Sequence, residues 1–311
     1  RNQHMPRTPG QTLPARRRIL GTRAFYGYLF TVPGFIVSAV LILYPLLFGL
    51  YASLTEWNWT SKQSSHMVFV GLQNYLDVIH DPLFWNALWN TVYFTGAALV
   101  LELILGTACA MLLSNIRAGS VIFRTILIFP LMISDIVAAI MWKMLLDPGL
   151  GFLNYLLSFL GVPNISWLSD SHLVIPAIVL ADTWWQTGVV TLIILAGLQS
   201  LPEEPREIAR VDGASPWQIF LHVTLPAIKP FLWTAALFRV IDLLRVFAIV
   251  WGTTGGGPAR ASQVAQHYIY AQGVGGYLHM GYSISLAVTF TVFICIIVLA
   301  LFGISKKEAA V

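Results

Sequence analysis

An all-α polytopic membrane protein is the fold class the sequence predicts, and three observations carry that prediction. Hydrophobic residues fill 57% of the 311 positions and charged residues only 10%, with a mean hydropathy of +0.73. Soluble domains carry about a quarter charged residues, so this chain lacks the polar surface to cover a globule. Six apolar runs are each long enough to cross a bilayer, which takes roughly 20 helical residues. The basic residues alternate between the connections in the way one fixed orientation requires. Six transmembrane helices with both termini cytoplasmic follow.

The elements run in this order. Residues 1–24 are rich in Arg, Pro, Gly and Thr without apolar periodicity, and are expected to form a flexible cytoplasmic tail. His4-Met5 looks like a cloning junction, so Met5 is expected as the native start. The transmembrane domain is placed at 25–303 and a short cytoplasmic tail at 304–311. The apolar runs are 26–54, 91–113, 121–145, 173–198, 225–250 and 282–302. The first is too long for a signal-peptide core and lacks a convincing cleavage site, so it is expected to stay as an anchor. Polar and aromatic residues with short helical pieces fill 55–89. Within 147–171, the segment 152–160 is apolar but too short to span and reads as an interfacial helix. The last connection, 252–280, is rich in Gly and holds Tyr268, Tyr270 and Tyr277.

Most Lys and Arg lie in the N-terminal tail, the 115–120 turn, the 202–229 region and Lys306-Lys307. The alternate connections hold only Lys62 and Arg260. The net charge of +4 therefore follows the positive-inside pattern, which excludes a nucleic-acid patch. Cys109 and Cys295 both sit in apolar runs, with neither a disulfide framework nor metal-ligand spacing. Small buried hydrophobe is the role expected of each.

The most polar stretch after the tail is 203–226, between two apolar runs. Four acids and two arginines fall between Glu203 and Asp212, Gly213 breaks the run, and Pro216 precedes an amphipathic piece with Trp217, Ile219, Phe220 and Val223. Two short helices joined by a glycine turn at a membrane surface are predicted. Glu207, Ala209, Gly213, Val223 and Leu225-Pro226 resemble the EAA loop of the membrane subunits of bacterial ATP-binding-cassette importers. That pattern is Glu-Ala-Ala, three residues, Gly, nine residues, Ile, one residue, Leu-Pro. The spacing holds throughout, with Ile208 and Val223 as mild departures. A generic polar loop explains the charge but not the Gly and Leu-Pro spacing.

The wider chain resembles the carbohydrate-uptake, maltose-transporter-type branch of that family. The resembling segments are Tyr44-Pro45, 69–75 (FVGLQNY), 87–91 (ALWNT), 167–170 (WLSD), 196–202 (AGLQSLP) and 254–258 (TGGGP), in order over about 27–302. The family usually carries an acid after the Phe of Arg245-Val246-Phe247, where this chain has Ala248. The resemblance implies a permease subunit of an importer for a sugar, in the cytoplasmic membrane of a bacterium or archaeon. It also implies a second homologous permease, two cytoplasmic ATPases holding ATP and Mg, and an extracytoplasmic sugar-binding protein. This chain binds no cofactor itself. The ATPases are expected to dock on Glu203, Glu207, Ala209, Asp212, Gly213, Trp217 and Phe220.

Charges at membrane depth are costly and need a partner, a wet cavity or a function. Here they are Glu102, Asp135, Lys143, Asp182, Arg239, Asp242 and Arg245. Lys143, near a span end, snorkels outward on the simplest reading. Glu102 has no obvious local partner and receives no role. Asp242 and Arg245, three apart with Arg239 a turn earlier, share a helix face and can pair. Two readings stand for them, a structural ion pair and a substrate-lining role. Asp182, Trp184, Trp185 and Gln186 combine carboxylate, amide and indole at mid-span. Sugar hydroxyls take hydrogen bonds and sugar C–H faces stack on indole. Carried over from the family, the sugar site falls on Asp135, Asp182, Trp185, Gln186, Asp242 and Arg245.

No Gly-Lys-Ser/Thr follows the glycines at 255–257, and no HExxH, GxSxG or Cys/His cluster occurs. The chain is therefore not expected to hydrolyse ATP or to be an enzyme. Three rivals remain. A glycerol-phosphate or polyol permease would use Arg239 and Arg245 on the phosphate, against the neighbouring Asp242. An ion-coupled secondary transporter would use Asp135, Asp182 and Asp242 as a relay, but leaves the EAA-like loop unexplained. An integral membrane enzyme has no catalytic constellation to support it.

Overall fold

The computed structural model of the protein describes residues 17–59, 66–116 and 119–309. Helix α1 (Arg17–Ser53) begins inside the stretch read as a tail, and its Pro33 and Pro45 do not end it. Without water to compete for backbone groups, a long apolar helix persists through proline. The tail's residues 1–16 lie outside the described residues, as do Lys62 and Arg117. Residues up to Tyr51 form one compact unit and those from Ala52 a second.

The second unit opens with a small ribbon. Strand β1 (Thr55–Glu56) pairs antiparallel with β2 (Val68–Phe69), with Thr55 opposite Phe69. Helix α2 (Gln73–His80) follows, then the long α3 (Pro82–Asn115). Asp81 caps α3 by accepting from the Leu83 N–H at 2.9 Å, and Pro82 supplies the favoured first-turn residue. Next come α4 (Ser120–Ile128), a 3₁₀ turn at Phe129–Met132, α5 (Asp135–Leu145), and α6 (Phe152–Ser158) within the predicted interfacial segment. The chain continues through α7 (Val174–Ser200), α8 (Glu204–Val211), α9 (Pro216–Ile219), a π turn at Phe220–Thr224, and α10 (Leu225–Leu244). It closes with α11 (Ala248–Thr253), α12 (Ala265–Gln272) and α13 (Met280–Ala309), so helix continues into the stretch read as a C-terminal tail.

Among the described residues, four helical stretches are long and apolar enough to cross a membrane: Tyr26–Ser53, Pro82–Asn115, Val174–Ser200 and Met280–Ile304. The third predicted run is not one straight helix. Val121–Met132 and Asp135–Leu145 meet at 98°. Pro130 lacks an N–H to continue the ladder, and Ile133 and Ser134 are extended, with ψ of 134° and 141°. The run 225–250 is also divided. Helix α10 has 20 residues, about 30 Å at 1.5 Å per residue, and carries Lys229, Arg239 and Asp242 before the break that precedes α11.

Helices α3 and α7 pack closely because Gly106 meets Val190. A Cβ on Gly106 would lie 2.6 Å from the Val190 Cγ1, which is why a residue without one is used there. Around this pair, Ala110, Leu113, Ile194, Leu198, Ile228 and Ala235 form one buried cluster of α3, α7 and α10. A second cluster joins α2, α3, α12 and α13 through Val78, Phe84, Tyr268, Leu286 and Phe290. The outward apolar side chains of α13, such as Val292, Ile296 and Leu299, stay exposed, as expected of a lipid-facing surface.

Candidate functional site

Glu102 of α3, Asp182 of α7 and Arg239 of α10 meet in the buried centre of the bundle. Arg239 donates Nε to Glu102 Oε2 at 2.6 Å and Nη2 to Glu102 Oε1 at 2.7 Å. Its Nη2 also reaches Asp182 Oδ2 at 2.9 Å, and Nη1 reaches Asp242 Oδ2 at 2.5 Å. The guanidinium thus spends four of its five N–H donors on three carboxylates, two of them brought by neighbouring helices. Side-chain exposure is 0% for Glu102, 3% for Arg239 and 6% for Asp182, but 66% for Asp242. Only Asp242 keeps a free face.

That face opens into a cavity of about 190 Å³. All six residues predicted to hold substrate line it: Asp135, Asp182, Trp185, Gln186, Asp242 and Arg245. Two breaks in the helices, the α4–α5 bend and the end of α10, bring them against the unbroken middle of α7. Asp135 starts α5 at the 98° bend, where its Oδ1 accepts from the Ile136 N–H at 2.9 Å and the Ser134 hydroxyl at 3.3 Å. Trp185 donates its indole N–H to the Ile133 carbonyl at 3.2 Å, so only its ring face is left for a ligand. The residues after α10, including Phe247 and Ala248, complete the wall.

Three sequence expectations need correction. Asp242 pairs with Arg239 and not with Arg245. Helix α10 ends at Leu244, and Arg245 adopts φ −96° and ψ 14° as its cap, which breaks the face the spacing assumed. Trp184 is not in the cavity wall; it packs edge-on against Trp142 at 5.9 Å. Glu102, given no role from sequence, is the main partner of Arg239. A carboxylate in an apolar helix demands a cation, and the spans hold few, so that pairing was within reach of the sequence.

The predicted coupling stretch forms two short helices about a glycine turn. Gly213 has φ +80°. Its N–H bonds the Arg210 carbonyl at 3.1 Å, and the Ala214 N–H bonds the Ala209 carbonyl at 3.0 Å. This pair of bonds is a Schellman closure, which needs a left-handed residue. Ser215 then caps α9 in a reciprocal box with Gln218, ahead of Pro216. No residue of α8 is buried. Glu203, Glu207, Asp212, Gly213 and Trp217 are exposed, while Ala209 and Phe220 are half-buried. Ile208 and Val211 stand 61% and 87% exposed, an apolar face with no intrachain cover.

The short segments of resemblance serve as clasps. Asn90 donates to the carbonyls of Arg260 at 3.2 Å and Gln263 at 3.1 Å, and the Thr91 hydroxyl accepts from the Ala265 N–H at 2.8 Å. Asn74 donates to the Ser53 and Thr55 carbonyls at 2.8 and 3.0 Å. Asp81 accepts from the hydroxyls of Tyr268 at 2.5 Å and Tyr282 at 2.6 Å. Burial works against the Asp81 carboxylate, but these bonds and the Leu83 and Phe84 N–H groups outweigh it and hold its pKa below the usual value.

The chain belongs to the family of binding-protein-dependent transport system inner membrane components, whose model matches residues 102–307. It is a permease subunit of a transport system in the cytoplasmic membrane. It is 38% identical over 236 residues to the trehalose/maltose transport system permease protein MalF of Thermococcus litoralis, covering 76% of this chain and 79% of that one. It is 30% identical over 285 residues to the trehalose transport system permease protein SugA of Mycobacterium tuberculosis, covering 91% and 89%. It is also 30% identical over 250 residues to the sn-glycerol-3-phosphate transport system permease protein UgpA of Yersinia enterocolitica, covering 80% and 83%. In fold it is similar to a chain of a bacterial ABC transporter involved in the import of the acidic polysaccharide alginate. The TM-score is 0.79 at 23% identity, over 94% of this chain and 99% of that one.

Proposed function

We propose that this chain is the sugar-conducting permease of an ATP-driven importer, and that the cavity between α5, α7 and the end of α10 is its substrate site. The observation that carries this is the lining. Carboxylates, an amide, a guanidinium and an indole face converge beside a buried charge cluster, the set that grips hydroxyls and stacks on a sugar ring. The named relatives for trehalose and maltose support a neutral sugar. The glycerol-phosphate relative raises the rival reading of an anionic substrate. Three lining carboxylates stand against two guanidiniums, and Arg239 already serves three carboxylates, so a phosphate would meet net repulsion.

In this reading six spans cross the membrane, the bent pair α4–α5 and the divided α10–α11 counting as one each, with both termini cytoplasmic. A second permease completes the pathway. Two ATPases, which alone hold ATP and Mg, grip α8 and α9, and an extracytoplasmic binding protein delivers the sugar. Closure of the ATPase pair moves α8 and α9 as rigid levers and rocks the spans. The chain itself catalyses nothing.

The test is uptake by the whole complex in proteoliposomes, with labelled trehalose, maltose and glycerol 3-phosphate offered in turn. ATP-dependent uptake of a sugar, weakened by Trp185→Ala, is expected. Uptake of glycerol 3-phosphate alone would contradict the assignment.

A further inference from the structure

We propose that the junction of α3 with α8 and α9 is a binding site for one anionic phospholipid. Two adjoining cavities carry the inference. The first, of about 350 Å³, is lined by Ser114 and Asn115 at the end of α3 and by Arg206 and Arg210 of α8. The second, of about 780 Å³, is apolar, with Leu103, Ile104 and Ala108 of α3 opposite Trp217 and Leu232. Met111, Pro216 and Phe220 line both, so the two form one amphiphilic trough.

Each half matches one end of a phospholipid. Arg206 and Arg210 are one turn apart on one helix face, and among the described residues neither has an ion-pair partner within 4.0 Å. Ser114 and Asn115 donate to the Met111 carbonyl at 2.8 and 3.0 Å, which leaves the guanidiniums as the charged donors lining the cavity. Guanidinium forks suit phosphate oxygens, and basic pockets beside spans hold anionic headgroups. The apolar half runs along α3 away from the arginines, where acyl chains lie. Trp217 and Phe220, with ring centroids 5.4 Å apart, sit at the junction, the depth at which aromatic side chains anchor to an interface. A soluble anion would satisfy the arginines and leave the apolar half open, so the lipid fits better than free phosphate. The site does not depend on which substrate the permease carries.

The test uses the assembled complex in nanodiscs doped with photoactivatable phosphatidylglycerol or, separately, phosphatidylcholine, with labelled peptides mapped by mass spectrometry. Phosphatidylglycerol is expected to label the 103–111 and 217–232 segments and phosphatidylcholine to label them weakly. Arg206→Gln/Arg210→Gln is expected to cut the phosphatidylglycerol signal about tenfold or more. The variant complex is taken forward only with its ATPases retained on co-purification; Arg206→Lys/Arg210→Lys, which keeps the charge, should retain most of the labelling. Excess inorganic phosphate should not displace the lipid. Equal labelling by the two lipids, or no effect of the Gln variant, would reduce the trough to ordinary lipid contact and overturn the site. Absence of label from both segments would show a protein helix in the trough and overturn it too.

Discussion

Arg239 is the residue on which the interior turns, because three carboxylates depend on one guanidinium. Removing one partner of a buried pair strands the other, which costs about 3–5 kcal/mol. Arg239→Gln is therefore expected to destabilise the chain by about that much, because it strands Glu102 and Asp182 together, and Glu102→Gln/Arg239→Gln by less than the two single losses together. Unfolding in mixed micelles, followed by tryptophan fluorescence, measures both; strict additivity would show that the groups act independently. At the N-terminal cap of α3, Asp81 titrates as a second clasp. Its lowered pKa means that its contribution is fully present above the ordinary carboxylate value and is lost as pH falls through the lowered one. Asp81→Asn should remove that acid-side loss and flatten stability in the same window, while a pH profile unchanged by the substitution would rule the clasp out.

Among the elements, the α8–α9 corner makes the sharpest demand. A Cβ on Gly213 would meet no atom within 4 Å, so space is not the constraint; its φ of +80° is. Gly213→Asn should then be tolerated, whereas Gly213→Val should cost about 1–2 kcal/mol in the corner and loosen ATPase co-purification. Equal retention of the ATPase by both variants would detach the corner from docking. Gly106 poses the opposite problem, since added bulk there collides with Val190 at 2.6 Å. Gly106→Ile is expected to abolish assembly, read as loss from the membrane fraction.

How much of this was legible in the sequence also sorts by element. The EAA-like spacing indicated the two helices and their glycine turn, because capping and φ > 0 are local and leave local signatures. Asp135, Asp182, Asp242 and Arg245 stood out because charge at membrane depth is costly wherever it occurs, whereas Trp185 and Gln186 rested on their place beside Asp182 and on the family resemblance. The bend at Ile133–Ser134 was not visible, since hydropathy registers apolar length and not direction. The break after Leu244 was missed for the same reason, and with it the true partner of Asp242. Glu102 was passed over because its cation lies 137 residues away, so helical spacing could not find it and only matching it to the few cations of the spans could.

Across the second unit, the exposed α8–α9 corner and the charged cavity hang on the same pair of helices. Helix α7 leads from Asp182 towards α8, and α10 leads from the π turn back to Arg239 and Asp242. A push on α8–α9 thus has a helical route to the cavity on either side. The measurement that tests this most directly follows ATP hydrolysis and sugar uptake together, in proteoliposomes holding the complete complex. With Trp185→Ala, hydrolysis stimulated by the binding protein should persist while uptake falls about tenfold or more, the loss expected from an aromatic stacking face. With Gly213→Val, hydrolysis and uptake should fall together. Undiminished uptake in both variants would contradict the assignment of the cavity as the sugar path and of the corner as its drive.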